Sequence, residues 1–311
     1  GGVGAAPAAA VERPTPSSRP VVDVPASVDG RGHRDVTGAL QSAIDRTPDG
    51  AILRFRPGAT YRVDGTLVLA RRRNLLIEGA GATVLAVTRG DRTRAQWLVR
   101  GGSDIAFRHL AVRGAHPGGG TAESAYVERL EAQHGFRIEG SRRVEIDRVR
   151  VSDVYGDFVS IASDRRHRPS VGVWVHDSAF ARNGRQGISV TAARDVVIER
   201  NSITATRRAT FDLEPGSRRD RVVGVRVLDN RVGPGRLLFV AAHGRGRVDG
   251  VVIAGNVLRG RALTVDVVAD GSTRRASWIV EGNDADLVLR RRALRFIGVD
   301  GVLVDRKSTR L

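Results

Sequence analysis

One short pattern of alternating apolar residues, ending at a turn residue, returns eight times along this chain. It reads LLIEGA ending at Ala80, IAFRHL at Leu110, VEIDRV at Val149 and VWVHDS at Ser178. It continues as VVIERN at Asn201, VRVLDN at Asn230, VVIAGN at Asn256 and WIVEGN at Asn283. Successive end points are 30, 39, 29, 23, 29, 26 and 27 residues apart. A repeat of this length with period-2 alternation and no helical segment between copies excludes a flat parallel sheet, whose crossovers need a dozen or more residues. Winding the chain resolves the conflict. Each repeat becomes one coil of a solenoid, its backbone hydrogen-bonded to the next coil at about 4.8 Å, with alternate side chains filling a continuous interior. The expectation is an all-β protein, a single-stranded right-handed parallel β-helix. Asn201, Asn230, Asn256 and Asn283 fall at equivalent turns, where stacked amides form a ladder and where Asn tolerates the left-handed conformation of a tight turn.

A single helix interrupts this pattern. RDVTGALQSAIDRTPDG puts Val36, Leu40, Ala43 and Ile44 on one face, with Asp35 as the N-cap and PDG as the stop. The segment from VDGRGHRDVTGALQSAIDR through RPGATYRVDGTLVLA to RRRNLLIEGAGATVLA resembles the N-terminal part of the pectate-lyase superfamily, which includes polygalacturonase-like hydrolases and phage tailspikes. The matching residues are Asp29, Gly30, Asp35, Thr37, Ala39, Leu40, Gln41, Ala43 and Ile44, then Pro57, Gly58 and Tyr61. The resemblance implies that the helix caps the first coil. It leaves the reaction open, because that superfamily holds hydrolases, lyases, epimerases and binders that cleave nothing.

A second strand follows each turn residue, and aligning these by repeat gives DFVSI (157–161), QGISV (186–190), ATFDL (209–213), LLFV (237–240) and RALTV (261–265). Alternation sends Val159, Ile161, Ile188, Val190, Phe211, Leu213, Leu238, Val240, Leu263 and Val265 inward. One outward column then reads Ser160, Ser189, Asp212, Phe239 and Thr264, and the next reads Ala162, Thr191, Glu214, Ala241 and Asp266. Asp212 and Glu214 are two apart in a strand, so they share a face about 7 Å apart. Inverting glycosidases keep an acid and a base about 6.5–9.5 Å apart. The pair is therefore the candidate catalytic centre, each charge raising the other's pKa, with Asp157 as a third acid. The bland alternative is a solvated pair neutralised by Arg207 or Arg208.

Arg185 and Arg208 are candidate clamps for a uronate or sulfate, because guanidinium meets such oxyanions in bidentate fashion. Gln186 and Ser189 line the same columns, Tyr155 and Phe239 are candidate sugar-stacking rings, and His243 is a candidate titrating group at that face. In polygalacturonase-like enzymes the matching coils carry an aspartate pair and then a G-H-G turn. Here GDFVSI keeps Asp157 alone, and RQGIS has Gln186 where the histidine would stand. No cofactor is required by the residues; the resemblance adds calcium if the chain is a lyase. His33, His109, His116, His134, His167 and His176 show no metal-ligand spacing, so no metal site is expected.

Net charge is +17, and Lys307 is the sole lysine among 51 basic residues. Arginine at that level fits either GC-rich coding or an anionic partner. The basic residues are scattered, without the block that marks a nucleic-acid tail. There is no cysteine, and no apolar run long enough to span a membrane. Residues 1–20 read as a signal-peptide remnant and Pro/Ser linker, residues 21–306 as the β-helix domain, and 307–311 as a non-native tail. The chain is expected to be secreted or at the cell surface. The expected function is cleavage of a polysaccharide, anionic in character, by hydrolysis or elimination. A glycan-binding solenoid that cleaves nothing is the competing expectation.

Overall fold

The computed structural model describes residues 19–269, 273, 275–287 and 293–305. The expected leader remnant through residue 18 and the expected non-native tail at 307–311 lie outside them. Three sheets, all parallel, run the length of the molecule with eleven, ten and nine strands. Each coil contributes one strand to each sheet in turn, so the chain is an all-β, right-handed parallel β-helix.

The eight repeats form the central run of the first sheet, and their sequence alignment is the structural register. Leu75 pairs with Ile105, Ile105 with Val144, and Val144 with Val173. Val173 pairs with Val196, Val196 with Val225, Val225 with Val251, and Val251 with Trp278. Inward positions of all three sheets merge into one apolar column in which Phe55, Trp97, Phe107 and Phe136 stack with centroids 5.0–6.3 Å apart. Burying such rings supplies the driving force for each coil.

The asparagine ladder lies at the turn after the first sheet. The backbone N–H of Asn201 donates to Asn230 Oδ1, that of Asn230 to Asn256 Oδ1, and that of Asn256 to Asn283 Oδ1, at 3.0–3.1 Å. Ser178 extends it, its N–H donating to Asn201 Oδ1 and its Oγ accepting from the N–H of Val149. The left-handed residue is not the asparagine but its predecessor: Arg200, Asp229, Gly255 and Gly282 all have positive φ. Asparagine is there for its amide, which satisfies a buried backbone donor on the neighbouring coil.

The helix Thr37–Arg46 closes the first end of the column with Leu40, Ala43 and Ile44 buried. Val36, not Asp35, holds the N-cap position; Asp35, one residue earlier, accepts from the N–H and Oγ1 of Thr37. Gln41 ties the helix to the third sheet through both backbone groups of Val68. The 39-residue interval between Leu110 and Val149 comes from one long loop, residues 114–135. It leaves the second sheet, makes single 3-10 turns at Glu123–Ala125 and Glu128–Leu130, and rejoins the third sheet at Phe136–Glu139.

Candidate functional site

Asp212 lies on the third-sheet strand Phe211–Leu213, beside Ser189 and outward of the core, as alternation requires. The aligned columns hold from Ser160 through Asp212 and then slip by two residues. Asp212 pairs with Ala241 rather than Phe239, and Ala241 with Asp266. The reason is Phe239, which turns inward before its strand begins and packs on Phe211 at 5.4 Å. It is wholly buried, so the expected stacking ring is a core residue, and Leu238 is left half-exposed instead of inward. The corrected outward column reads Ser160, Ser189, Asp212, Ala241, Asp266.

The slip also moves His243 beside Glu214. The N–H of Arg245 bonds the carbonyl of Pro215 at 2.8 Å, and Gly244 lies against Glu214. Gly244 has φ +86°, and a Cβ there would meet Pro215 O at 2.5 Å and Glu214 Cγ at 3.1 Å, so only glycine lets the two turns close.

Asp212 is 3% exposed, while Glu214 is half-buried. Burial pushes the Asp212 carboxyl well above the usual carboxylate range, and the charges of Glu214 and Asp157 push it the same way against a smaller pull from Arg185. Glu214 is within hydrogen-bonding reach of it, closer than the roughly 7 Å that strand spacing alone gives. The two carboxyl groups therefore interact directly. Neither Arg207 nor Arg208 neutralises it. Arg207 Nε donates to the carbonyl of Glu123, and the Arg208 guanidinium lies 5.1 Å over the ring of Tyr126.

Asp157 is completely buried and its oxygens are taken. They accept from Arg185 Nη1 at 2.8 and 3.1 Å, from the N–H of Gln186 at 2.9 Å and from Ser189 Oγ at 2.7 Å. This carboxylate anchors Arg185 and does not face a substrate. The Asp157 charge in turn raises the Arg185 pKa. Arg185 Nε also reaches Glu131 at 3.3 Å, and Glu131 accepts from Tyr126 Oη at 2.7 Å. Gln186 serves the backbone, its Oε1 accepting from the N–H of Ala209. Tyr155 is 3% exposed and stacks on His116 at 4.2 Å, so it too offers no open face.

Three contributors come from the long loop, outside the repeats, and alignment gave no sign of them. Glu131 and Tyr126 hold Arg185 and Arg208. The third, His134, accepts from the N–H of Asp157 on Nδ1 at 3.0 Å, and burial pushes its pKa down to about 4. Its ring is therefore neutral, with the proton on Nε2.

Calcium does not fit this cluster. Hard cations need several ionised or carbonyl oxygens, whereas both oxygens of Asp157 already accept from Arg185, the N–H of Gln186 and Ser189. On the first sheet Glu145, Asp147 and His176 converge to within 4.8 Å, a grouping that sequence spacing did not show. Arg108 and Arg148 already occupy those carboxylates, and Glu145 is held down to about 2 despite its burial by His176 and Arg108. That cluster is an ion-pair network.

No protein-family profile matches the chain, and no curated protein matches it by sequence. Solved structures do match in fold. The surface adhesin PfbA of Streptococcus pneumoniae superposes with a TM-score of 0.62 at 14% identity, over 91% of this chain and 89% of that one. Polygalacturonase from Erwinia carotovora superposes at 0.59 with 15% identity, over 96% of each chain. Alginate lyase from a Paenibacillus species gives 0.57 at 15% identity, over 86% of this chain and 97% of that one.

Proposed function

We propose that the protein is a secreted or cell-surface enzyme that cleaves glycosidic bonds of an acidic polysaccharide lying along the outer face of the third sheet. The Asp212–Glu214 pair is the proton donor. The observation that carries this reading is a buried carboxyl group on the outward side of the strand, beside two other carboxylates, whose pKa burial and those charges raise, the direction a general acid needs. Glu214, the more exposed member, meets the glycosidic oxygen, and Asp212 beneath it keeps the shared proton in place. Arg185 sits next to the pair with its charge fixed by Asp157 and Glu131. Arg208, stacked on Tyr126, is the cation left to meet an anionic sugar. A solenoid face suits this work because an extended polymer can contact many coils at once.

The second reading is a glycan-binding surface protein without cleavage. It is favoured by the 3% exposure of Asp212 and by the likeness in fold to an adhesin. Incubation with a panel of acidic and neutral glycans separates the two. Cleavage gives new reducing ends, and elimination adds the ultraviolet absorbance of an unsaturated sugar. Asp212→Asn and Glu214→Gln should abolish either signal. Binding without any product, in wild type and variants alike, would establish the second reading.

A further inference from the structure

An acid alone does not complete glycosidic hydrolysis, and the two-residue slip brings a second group to the acid pair. His243 follows the strand Val240–Ala242 and is 42% exposed at its side chain. Its Nε2 is buried without a hydrogen-bond partner among the described residues, and it lies 3.2 Å from Asp266 Oδ2 as a charge contact, not a hydrogen bond. Asp266 is held in place by Arg295, which meets both of its oxygens at 2.5 and 2.6 Å. That contact keeps the Asp266 carboxylate ionised, and His243 adds to the effect.

The backbone beneath His243 is pinned as well. Arg275, wholly buried, donates Nη2 to the carbonyls of His243 and Gly244 at 2.9 and 3.0 Å, and Nη1 to that of Gly246. The neighbouring Asp266 carboxylate favours the tautomer with its proton on Nε2, which leaves the lone pair on Nδ1. The imidazole leans towards Asp266, away from Glu214. One coil is about 4.8 Å, so the acid pair and the imidazole are separated by between one and two coils, about 5–10 Å. That interval contains the 6.5–9.5 Å that inversion requires between acid and base.

We propose that His243, oriented by Asp266, is the general base that acts opposite the Asp212–Glu214 pair, making the reaction a hydrolysis. This rests on the acid role given to that pair above. A water gives its proton to His243 Nδ1 while its oxygen forms the new bond to the anomeric carbon. The bond to the departing sugar breaks with its electron pair on the glycosidic oxygen, which takes the proton of the Asp212–Glu214 pair. The imidazolium, stabilised by Asp266, returns its proton to the pair through solvent. The titratable and charged groups on the elements packed against His243 are Glu214 and Asp212 from the preceding coil, and Asp266, Arg275 and Arg295 from the coils that follow.

The test is the kinetics of reducing-end release on whichever glycan the wild type cleaves. His243→Ala should lower kcat by about 10²–10⁴-fold, with KM little changed and added imidazole restoring part of the rate. His243→Gln should lose as much activity while keeping the side-chain volume, which separates chemistry from folding. Asp266→Asn should lower kcat with KM little changed, because the imidazolium loses its counter-charge. A His243→Ala enzyme within about three-fold of wild type, beside an inactive Asp212→Asn enzyme, overturns the base and leaves the acid pair standing. Unsaturated products would also overturn it. An active Asp212→Asn enzyme, or a wild type that cleaves nothing, overturns the acid pair and the base together.

Discussion

Replacing Asp212 by asparagine should stabilise the protein while destroying its activity, and the gain should grow with pH. In the folded chain the carboxyl pKa is raised well above 3.8, chiefly by burial and then by Glu214 and Asp157. Between 3.8 and the folded value, the native state keeps a proton that the unfolded state has released. Stability therefore falls as pH rises through that window, by about 1.4 kcal/mol per pH unit, and levels off above the folded pKa. Asparagine has the shape of the protonated acid, can still donate to Glu214, and carries no titration. Urea midpoints for wild type and Asp212→Asn, at half-unit steps from about pH 4 to about pH 8, give the difference directly. Titrating groups that do not interact with Asp212 cancel in it. The variant should gain about 3 kcal/mol over the first two units, provided the carboxyl stays protonated that far. A difference that stays flat across the range would refute the raised pKa and, with it, the acid role.

Arg185→Ala should cost about 3–5 kcal/mol because it leaves the Asp157 charge buried without its cation, and Arg185→Lys should cost less; urea melts at neutral pH measure both. Asn230→Ala removes the acceptor of both Asn201 donors and should cost about 3 kcal/mol or more in the same assay; a loss under about 1 kcal/mol would mean the ladder is ornamental. His134 is held neutral down to about pH 4, so the unfolded chain binds the extra proton between about 6.5 and 4. Acidification through that window should cost up to about 3 kcal/mol, and His134→Gln should flatten the slope between pH 7 and pH 5.

The long loop supplies what the repeats cannot. Glu131, Tyr126 and His134 reach the coil turns because residues 114–135 cross over them, and Arg236 bonds Glu123 at 3.0 Å to hold the loop there. A period search looks past such an insertion, since its residues match nothing one coil away. The same blindness affects Phe239. Apolar alternation assigns a residue to a face only while the strand lasts, and Phe239 sits in the turn before its strand, where the ring enters the core. Every outward residue after it, from Ala241 to Asp266, is displaced by two from where alternation places it.

The sequence by itself determined the winding: period-2 strands, an asparagine at four successive turns and a capping helix are local signals, and repetition makes their register additive from coil to coil. The tertiary structure alone decided which acids are free. Asp157 is saturated and the Asp212 pKa is raised because burial and charge at one carboxyl sum over residues from several coils and a loop, and that sum depends on distances through space.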